Sequence, residues 1–293
     1  MLIDGRRARK GPGRLRHRGP AAILAGGRTG PTGGTRMKVV ILCGGLGTRL
    51  REETEFRPKP MVDIGGRPIL WHIMKHCAHH GLREFVLCLG YRGHVVKEYF
   101  LNYEAMNNDC TVTLGRGHGV RLHGDHGEQG YEVTLAETGA ETQTGGRIAR
   151  AAKYLDGDTF MVLYGDGVSD VDLSAALAFH RAHGKLATVT AVRPPSRFGI
   201  LDVRGDRAEG FAEKPTVDGW ASAGYFVLDR RALAYLGGDD CILERGPLAR
   251  LAAEGELMVY RHEGFFFAMD TYREYKLLNE LWDRGDAPWK VWA

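Results

Sequence analysis

The 293 residues are 43% apolar and 26% charged, enough for a sizeable core in one large domain or two small ones. Of the 40 Lys and Arg and 36 Asp and Glu, residues 1–36 hold nine bases and one acid, Asp4; they carry +8, and the remainder carries −4. A mildly acidic body argues against a nucleic-acid-binding domain, and no run approaches the ~18 apolar residues that span a membrane.

Residues 1–36 are rich in Arg, Gly and Pro and read as a disordered basic extension. They lack the apolar stretch of a signal peptide. A basic arm or a mitochondrial-type presequence fits this composition; so does an upstream extension with no function of its own, and Met37 directly before the first strand suits the latter. Strand 38–43, helix 68–80, strand 84–89, helix 93–103, helix 146–155 and strand 159–164 follow, with Ile69, Leu70, Ile73, Met74 and Cys77 at helical spacing. This βαβ rhythm predicts an α/β fold, Rossmann-like, with a mixed and mostly parallel sheet and helices on both faces. Between 104 and 144 the pattern becomes irregular and rich in Gly and His, as in a lid or an oligomer contact.

Helix 173–183 precedes strand candidates at 186–193, 198–203, 207–212 and 222–228, which predict mixed or antiparallel additions to the sheet. The last part, 236–293, holds helices near 245–254 and 271–284 around strands at 256–261 and 264–269. Five cysteines (Cys43, Cys77, Cys88, Cys110, Cys241) form no C-x-x-C pair, and most fall in apolar patterns; they read as reduced core thiols of a cytoplasmic protein. His72, His76 and His79 fall on the polar face of helix 68–80 and read as surface residues. Trp282, Trp289 and Trp292 read as a packed C-terminal segment or a subunit contact.

The most informative stretch is residues 41–61, ILCGGLGTRLREETEFRPKPM. A buried strand feeding a glycine loop lets backbone N–H groups approach phosphate oxygens. Arg49, and Lys59 held between Pro58 and Pro60, would add the positive charge that a polyphosphate needs. The Gly-Lys-Ser/Thr ending of a P-loop is absent, and the third small residue of a dinucleotide fingerprint is replaced by Leu50. Two strand-end carboxylates, Asp166 after Phe160–Leu163 and Asp270 after Phe265–Phe267, stand where α/β proteins bind ligands and suit Mg²⁺. Asp170 and Asp172 read as caps of helix 173–183.

GGLGTRL followed by PKPMVDIGGRPIL resembles the sugar-nucleotide pyrophosphorylases, a family of nucleotidyltransferases. The resemblance covers about residues 37–293, through LGYRGHVVKEYF, TGGR, YGDGVSDVD, RFGILDV, EKP and APWKVW, and the later segments are most similar to its glucose-1-phosphate cytidylyltransferase branch. It implies one nucleotidyltransferase domain over 37–293. The implied reaction joins CTP and glucose 1-phosphate with Mg²⁺, in a homo-oligomer with contacts through helices and 236–293. Arg49 and Lys59 are implied as catalytic, and Asp166 and Asp270 as metal ligands. Leu42, Cys43, Gly44, Gly45, Leu46, Gly47, Thr48, Thr142, Arg147 and Gly165 join Arg49 and Lys59 at the nucleotide, with Glu213 and Lys214 at the sugar phosphate.

The chain departs from the branch at Ser222-Ala223-Gly224, Phe266-Phe267-Ala268 and Gly246, near the sugar pocket. Another NTP or sugar 1-phosphate therefore stays open, as does a non-catalytic nucleotide sensor. A dinucleotide-dependent dehydrogenase would further need an acid ending the second strand, where Gly90-Tyr91 stands.

Overall fold

The protein is described from a computed structural model, which covers residues 37–45, 47, 49–194, 200–212 and 219–293. The basic extension, Leu46, Thr48, Glu213 and Lys214 lie outside the described residues. Seven strands form the main sheet: β1 (Lys38–Leu42), β2 (Glu84–Leu89), β3 (Glu132–Glu137), β4 (Thr159–Tyr164), β5 (Ala187–Val192), β6 (Ala221–Asp229) and β7 (Leu257–Arg261), in the spatial order β7-β5-β6-β4-β1-β2-β3. Only β6 runs antiparallel to its neighbours; every other pairing is parallel. The mixed, mostly parallel sheet of the sequence reading is present.

Alternate residues of the central strands supply two cores. Val39, Ile41, Phe85, Leu87, Met161 and Leu163 face one side, while Val40, Val86, Phe160 and Val162 face the other. The first side is covered by α1 (Ile69–His79), α2 (Gly93–Leu101), α4 (Leu173–His183) and α6 (Tyr272–Asp283), the second by α3 (Thr144–Ala151) and α5 (Pro247–Ala253). Burial on both faces makes these strands nearly continuous apolar runs, which is why their periodicity was readable.

The sequence pattern missed β3. It is an edge strand in which only Ala136 is fully buried, so its six residues show neither an apolar run nor a clean alternation. The same irregular stretch holds a short helix, Tyr103–Asn107, and a two-stranded ribbon, Asp109–Thr113 with Gly119–His123. The candidates near 198–203 and 207–212 pair with each other, as Ile200–Arg204 with Arg207–Ala212, and do not extend the main sheet. Phe266–Ala268 likewise leaves the sheet and pairs with Gly167–Ser169.

Two histidines read as surface residues are buried: His72 is fully enclosed and His76 is 2% exposed, while His79 is exposed as expected. Helix α1 is covered on its polar side as well. His72 Nε2 meets Ile64 O at 2.9 Å and His76 Nε2 meets Val171 O at 2.8 Å. Trp289 Nε1 donates to His72 Nδ1 at 3.3 Å, which leaves Nε2 as the protonated nitrogen of a neutral ring. Trp282 packs edge-on against the same ring, and Trp289 is 1% exposed, so this C-terminal tryptophan belongs to the core. A side chain at Gly65, where φ is +58°, would collide with Trp282.

The thiols of Cys43, Cys77 and Cys88 are buried and Cys241 is partly so, whereas Cys110 is exposed on the ribbon, against the core reading. Asp172 caps α4, accepting from Ala175 N at 2.9 Å. Asp170 does not; it accepts from Phe265 N at 2.7 Å and meets His262 Nε2 at 2.8 Å. No helix among the described residues is long and apolar enough to cross a membrane.

Burial lowers both His72 and His76 to about 4, against a usual value near 6.5. Between those limits the unfolded chain binds protons that the folded chain excludes, so stability rises with pH. It is fully present above about 6.5 and falls as pH drops towards 4. The urea midpoint should be lower at pH 5 than at pH 7, and equal midpoints would show that neither ring is held neutral.

Candidate active site

Strand β1 delivers Leu42 to the C-terminal edge of the sheet, and Cys43-Gly44-Gly45 turns away from it. Cys43 N still bonds Cys88 O on β2 at 3.0 Å. Gly47 sits at φ +63°, where its carbonyl accepts from Leu50 N and Thr54 Oγ1, each at 3.0 Å. Its left-handed backbone favours glycine, and a Cβ there would also lie 2.8 Å from Thr54 Cγ2.

The Pro-Lys-Pro segment forms a single 3-10 turn, Lys59–Met61. Pro58 enters it in an extended conformation, and Pro60 packs against Gly165 at the end of β4. A Cβ on Gly165 would come within 2.9 Å of Pro60 Cγ and 2.7 Å of Leu42 O, so the close approach requires glycine. That contact brings Lys59 beside Asp166, the next residue.

Asp270 comes from the other direction. Phe266–Ala268 pairs antiparallel with Gly167–Ser169, and Met269 N bonds Asp166 O at 2.9 Å, which brings Asp166 and Asp270, 104 positions apart, to one edge. The following helix, α6, opens with a capping box: Thr271 Oγ1 accepts from Glu274 N, and Glu274 Oε2 accepts from Thr271 N at 2.7 Å and from Asp270 N at 2.6 Å. The backbone carrying Asp270 is therefore held on both sides.

These segments converge on Lys59. Its Nζ lies 2.7 Å from Asp166 Oδ2 and 2.6 Å from Asp270 Oδ1, and the residue is only 9% exposed. Burial alone would lower the ammonium pKa, but the two carboxylates outweigh it and raise the pKa above its ordinary value. Arg49 Nη2 reaches the same Asp270 oxygen at 3.0 Å from a largely exposed position. Two cations and two carboxylates thus share one corner of a cavity of about 400 Å³, within the roughly 300–1,000 Å³ of small-ligand sites.

The opposite wall is built on Arg147. Its guanidinium is buried and donates to the carbonyls of Gly44 (3.0 Å), Leu89 (3.1 Å), Gly139 (2.7 Å) and Ala140 (3.2 Å), and to Thr138 Oγ1 (2.9 Å). It ties the glycine loop to the end of β2 and to the turn before α3. A Cβ on Gly44 or Gly90 would overlap this guanidinium. Gly145 and Gly146, in the same TGGR motif, let the 238–241 backbone approach, and Gly145 N bonds Cys241 O at 2.8 Å.

The cavity brings together Leu42, Gly44, Gly45, Gly47, Arg49, Lys59, Thr142, Arg147, Gly165, Asp166 and Asp270 from the sequence reading; Cys43 lies buried beneath the loop. The lining also includes Pro60, Ala140, Glu141, Gln143, Thr144 and Tyr164, none of which that reading selected. Pro60, Thr144 and Tyr164 stood inside quoted motifs; Ala140 and Glu141 gave no signal, because they line the wall through a turn fixed by Arg147.

A family model described as nucleotidyl transferase matches residues 38–250. The chain is 48% identical over 258 residues to the glucose-1-phosphate cytidylyltransferase of Salmonella typhimurium, covering 87% of this chain and all of that one. It is 27% identical over 246 residues to the mannose-1-phosphate guanylyltransferase catalytic subunit beta of Dictyostelium discoideum, covering 82% of this chain and 62% of that one. The crystal structure of HddC from Yersinia pseudotuberculosis shares the fold, with a TM-score of 0.58 at 21% identity over 84% of this chain and 99% of that one. With a glycine loop, a cation and two strand-end carboxylates around one cavity, and with that match over most of its length, the chain belongs to the nucleotidyl transferase family.

Proposed function

We propose that the protein transfers the cytidylyl group of CTP to α-D-glucose 1-phosphate, giving CDP-glucose and pyrophosphate. The observation that carries the reaction class is the Lys59 ammonium held between Asp166 and Asp270 in one corner of the cavity that the glycine loop lines. The choice of CTP and glucose 1-phosphate is supported by the 48% identity to an enzyme of that name along its full length.

A phosphate oxygen of the sugar attacks the α-phosphorus, the bond from that phosphorus to the β-phosphate oxygen breaks, and pyrophosphate departs. The sugar phosphate is already ionised near pH 7, so no protein base has to remove a proton. Two polyanions must nevertheless meet, and positioning and charge neutralisation carry the catalysis. Lys59, fixed by its prolines, is assigned to the α-phosphate and sugar phosphate. Arg49, largely exposed beside Asp270, is assigned to the departing pyrophosphate. Backbone N–H groups of the glycine loop and the Thr142 side of the cavity hold the nucleotide, and Arg147 maintains the distance between these walls.

Asp166 and Asp270 suit Mg²⁺, which favours one or two carboxylates with phosphate oxygens and waters completing its shell. Both carboxylates lie within hydrogen-bond reach of the same Lys59 nitrogen, so they can share a ligand. Bound there, Mg²⁺ would supply neutralising charge and orient phosphate oxygens.

Pyrophosphate release should be measured for every pairing of CTP, UTP, dTTP, GTP and ATP with glucose 1-phosphate and other sugar 1-phosphates. CTP with glucose 1-phosphate should give the highest kcat/KM; no turnover with any pair would overturn the enzyme assignment, and preference for UTP only the base assignment. Asp166→Asn and Lys59→Ala should each lower kcat by at least roughly 100-fold, the scale for one preorganised electrostatic group. Rates close to wild type would remove those residues from the chemistry.

A further inference from the structure

Tyr91 follows Gly90 at the end of β2 and touches the glycine loop at both of its ends. Its backbone N–H bonds Gly44 O at 3.3 Å, where the loop leaves β1. Its hydroxyl reaches Thr54 O at 3.2 Å and Glu55 O at 3.4 Å, where the short helix Arg51–Thr54 ends. Thr54 passes that contact back to the loop. It is 4% exposed, and its Oγ1 donates to Gly47 O at 3.0 Å and Leu50 O at 2.8 Å. Its N–H bonds the same Leu50 carbonyl at 3.0 Å. Arg49 lies between Gly47 and Leu50 in the chain, so the segment that carries it is held by Tyr91 through Thr54.

A phenolic hydroxyl has one proton to give and lone pairs to accept with. Tyr91 uses both: it donates towards the carbonyls of Thr54 and Glu55 and accepts from Arg92 Nε at 3.0 Å. The Arg92 guanidinium also lies over the Tyr91 ring, 5.5 Å from its centre. Arg92 sits at φ +48°, the one non-glycine residue with a positive φ among the described residues. A long side chain seldom takes that conformation, and it persists where the surroundings impose it. Here the turn into α2 imposes it: Gly93 N bonds Gly90 O, and Val95 N bonds Arg92 O, each at 3.0 Å. Glycine would relieve the backbone but would lack the donor that meets the Tyr91 hydroxyl. The strain thus accompanies a side-chain contact on the loop. Neither Tyr91 nor Arg92 lines the active-site cavity, so both act on a ligand only through the loop.

We propose that Tyr91, oriented by Arg92, is a positioning residue for the transfer: it ties the two ends of the glycine loop together and so fixes the segment that presents Arg49 to the departing pyrophosphate. The proposal rests on the nucleotidyl transfer assigned above, whichever NTP and sugar 1-phosphate turn over. A contact that holds a cation in place is expressed in the rate where charge develops, more than in the binding of the sugar phosphate.

Tyr91→Phe removes the hydroxyl and keeps the ring. Its kcat should fall about tenfold while KM for the sugar 1-phosphate stays within about twofold of wild type. Arg92→Gly keeps the turn and removes the donor, and its kcat should fall at least about threefold. In an Arg49→Ala background, Tyr91→Phe should lower kcat less than about twofold further, because both act through one group. Hydrogen exchange reads the latch without any substrate. In Tyr91→Phe the amides of Leu50, Glu53 and Thr54 should exchange at least about fivefold faster, with those of β1 and β2 unchanged. Wild-type kcat in either single variant, a tenfold loss that persists in the Arg49→Ala background, or unchanged exchange at those amides would overturn the proposal. So would lost protection across the whole sheet, which would make Tyr91 a general folding contact. Because exchange needs no turnover, it decides the latch even if no NTP and sugar 1-phosphate react, an outcome that by itself rejects only the assigned reaction.

Discussion

Everything at the candidate site depends on a nearly buried ammonium group. Lys59 could not remain charged at 9% exposure without partners, and it has two, at 2.7 and 2.6 Å. Removing one partner of such a buried pair typically costs about 3–5 kcal/mol, because the other is left uncompensated. The architecture can be read as the means of bringing those partners together. The end of β4 gives Asp166, the small antiparallel pair and the α6 cap give Asp270, and two prolines hold the lysine between them. In the proposed reaction, ligand phosphates and the lysine's own carboxylates would compete for one cation, which would couple nucleotide binding to the state of the acidic pair.

The glycines also have a steric purpose, apart from the phosphate contact proposed for the loop. Gly44 and Gly90 leave room for the Arg147 guanidinium, Gly165 lets Pro60 press against the end of β4, and Gly145 and Gly146 admit the 238–241 backbone. Each accepts the entropic cost of glycine because a Cβ would collide with a neighbour that shapes the cavity. Arg147 depends on this most, since its recorded acceptors are four backbone carbonyls and one hydroxyl. It fastens the wall through the loop, the end of β2 and the turn before α3 together.

Much of this is legible in the amino-acid sequence itself. Strands buried on both faces announce themselves as apolar runs, and β1, β2 and β4 do so. Residues fixed by local chemistry, such as Lys59 between prolines and Asp166 between glycines, also stand out. Less legible was whatever depends on distant packing. His72 and His76 look like surface residues on a helical wheel, but the tryptophan-rich C-terminus and the backbone at Ile64 and Val171 cover them. Asp170 resembles a cap and instead serves the Phe265 backbone, a partner 95 residues away. Edge strand β3 and the exposed ribbon lack a two-sided core and so leave no apolar run.

The most direct test of the site concerns the acidic pair itself. Electron paramagnetic resonance can follow Mn²⁺ titrated into the protein together with a non-hydrolysable CTP analogue. The wild type should immobilise the ion with the nucleotide, and Asp166→Asn and Asp270→Asn should each weaken that binding more than about tenfold, as expected when one of two carboxylate ligands is lost. Equal Mn²⁺ binding by the wild type and both variants would contradict the assignment of Asp166 and Asp270, and with it the role of Lys59 as their shared counter-charge.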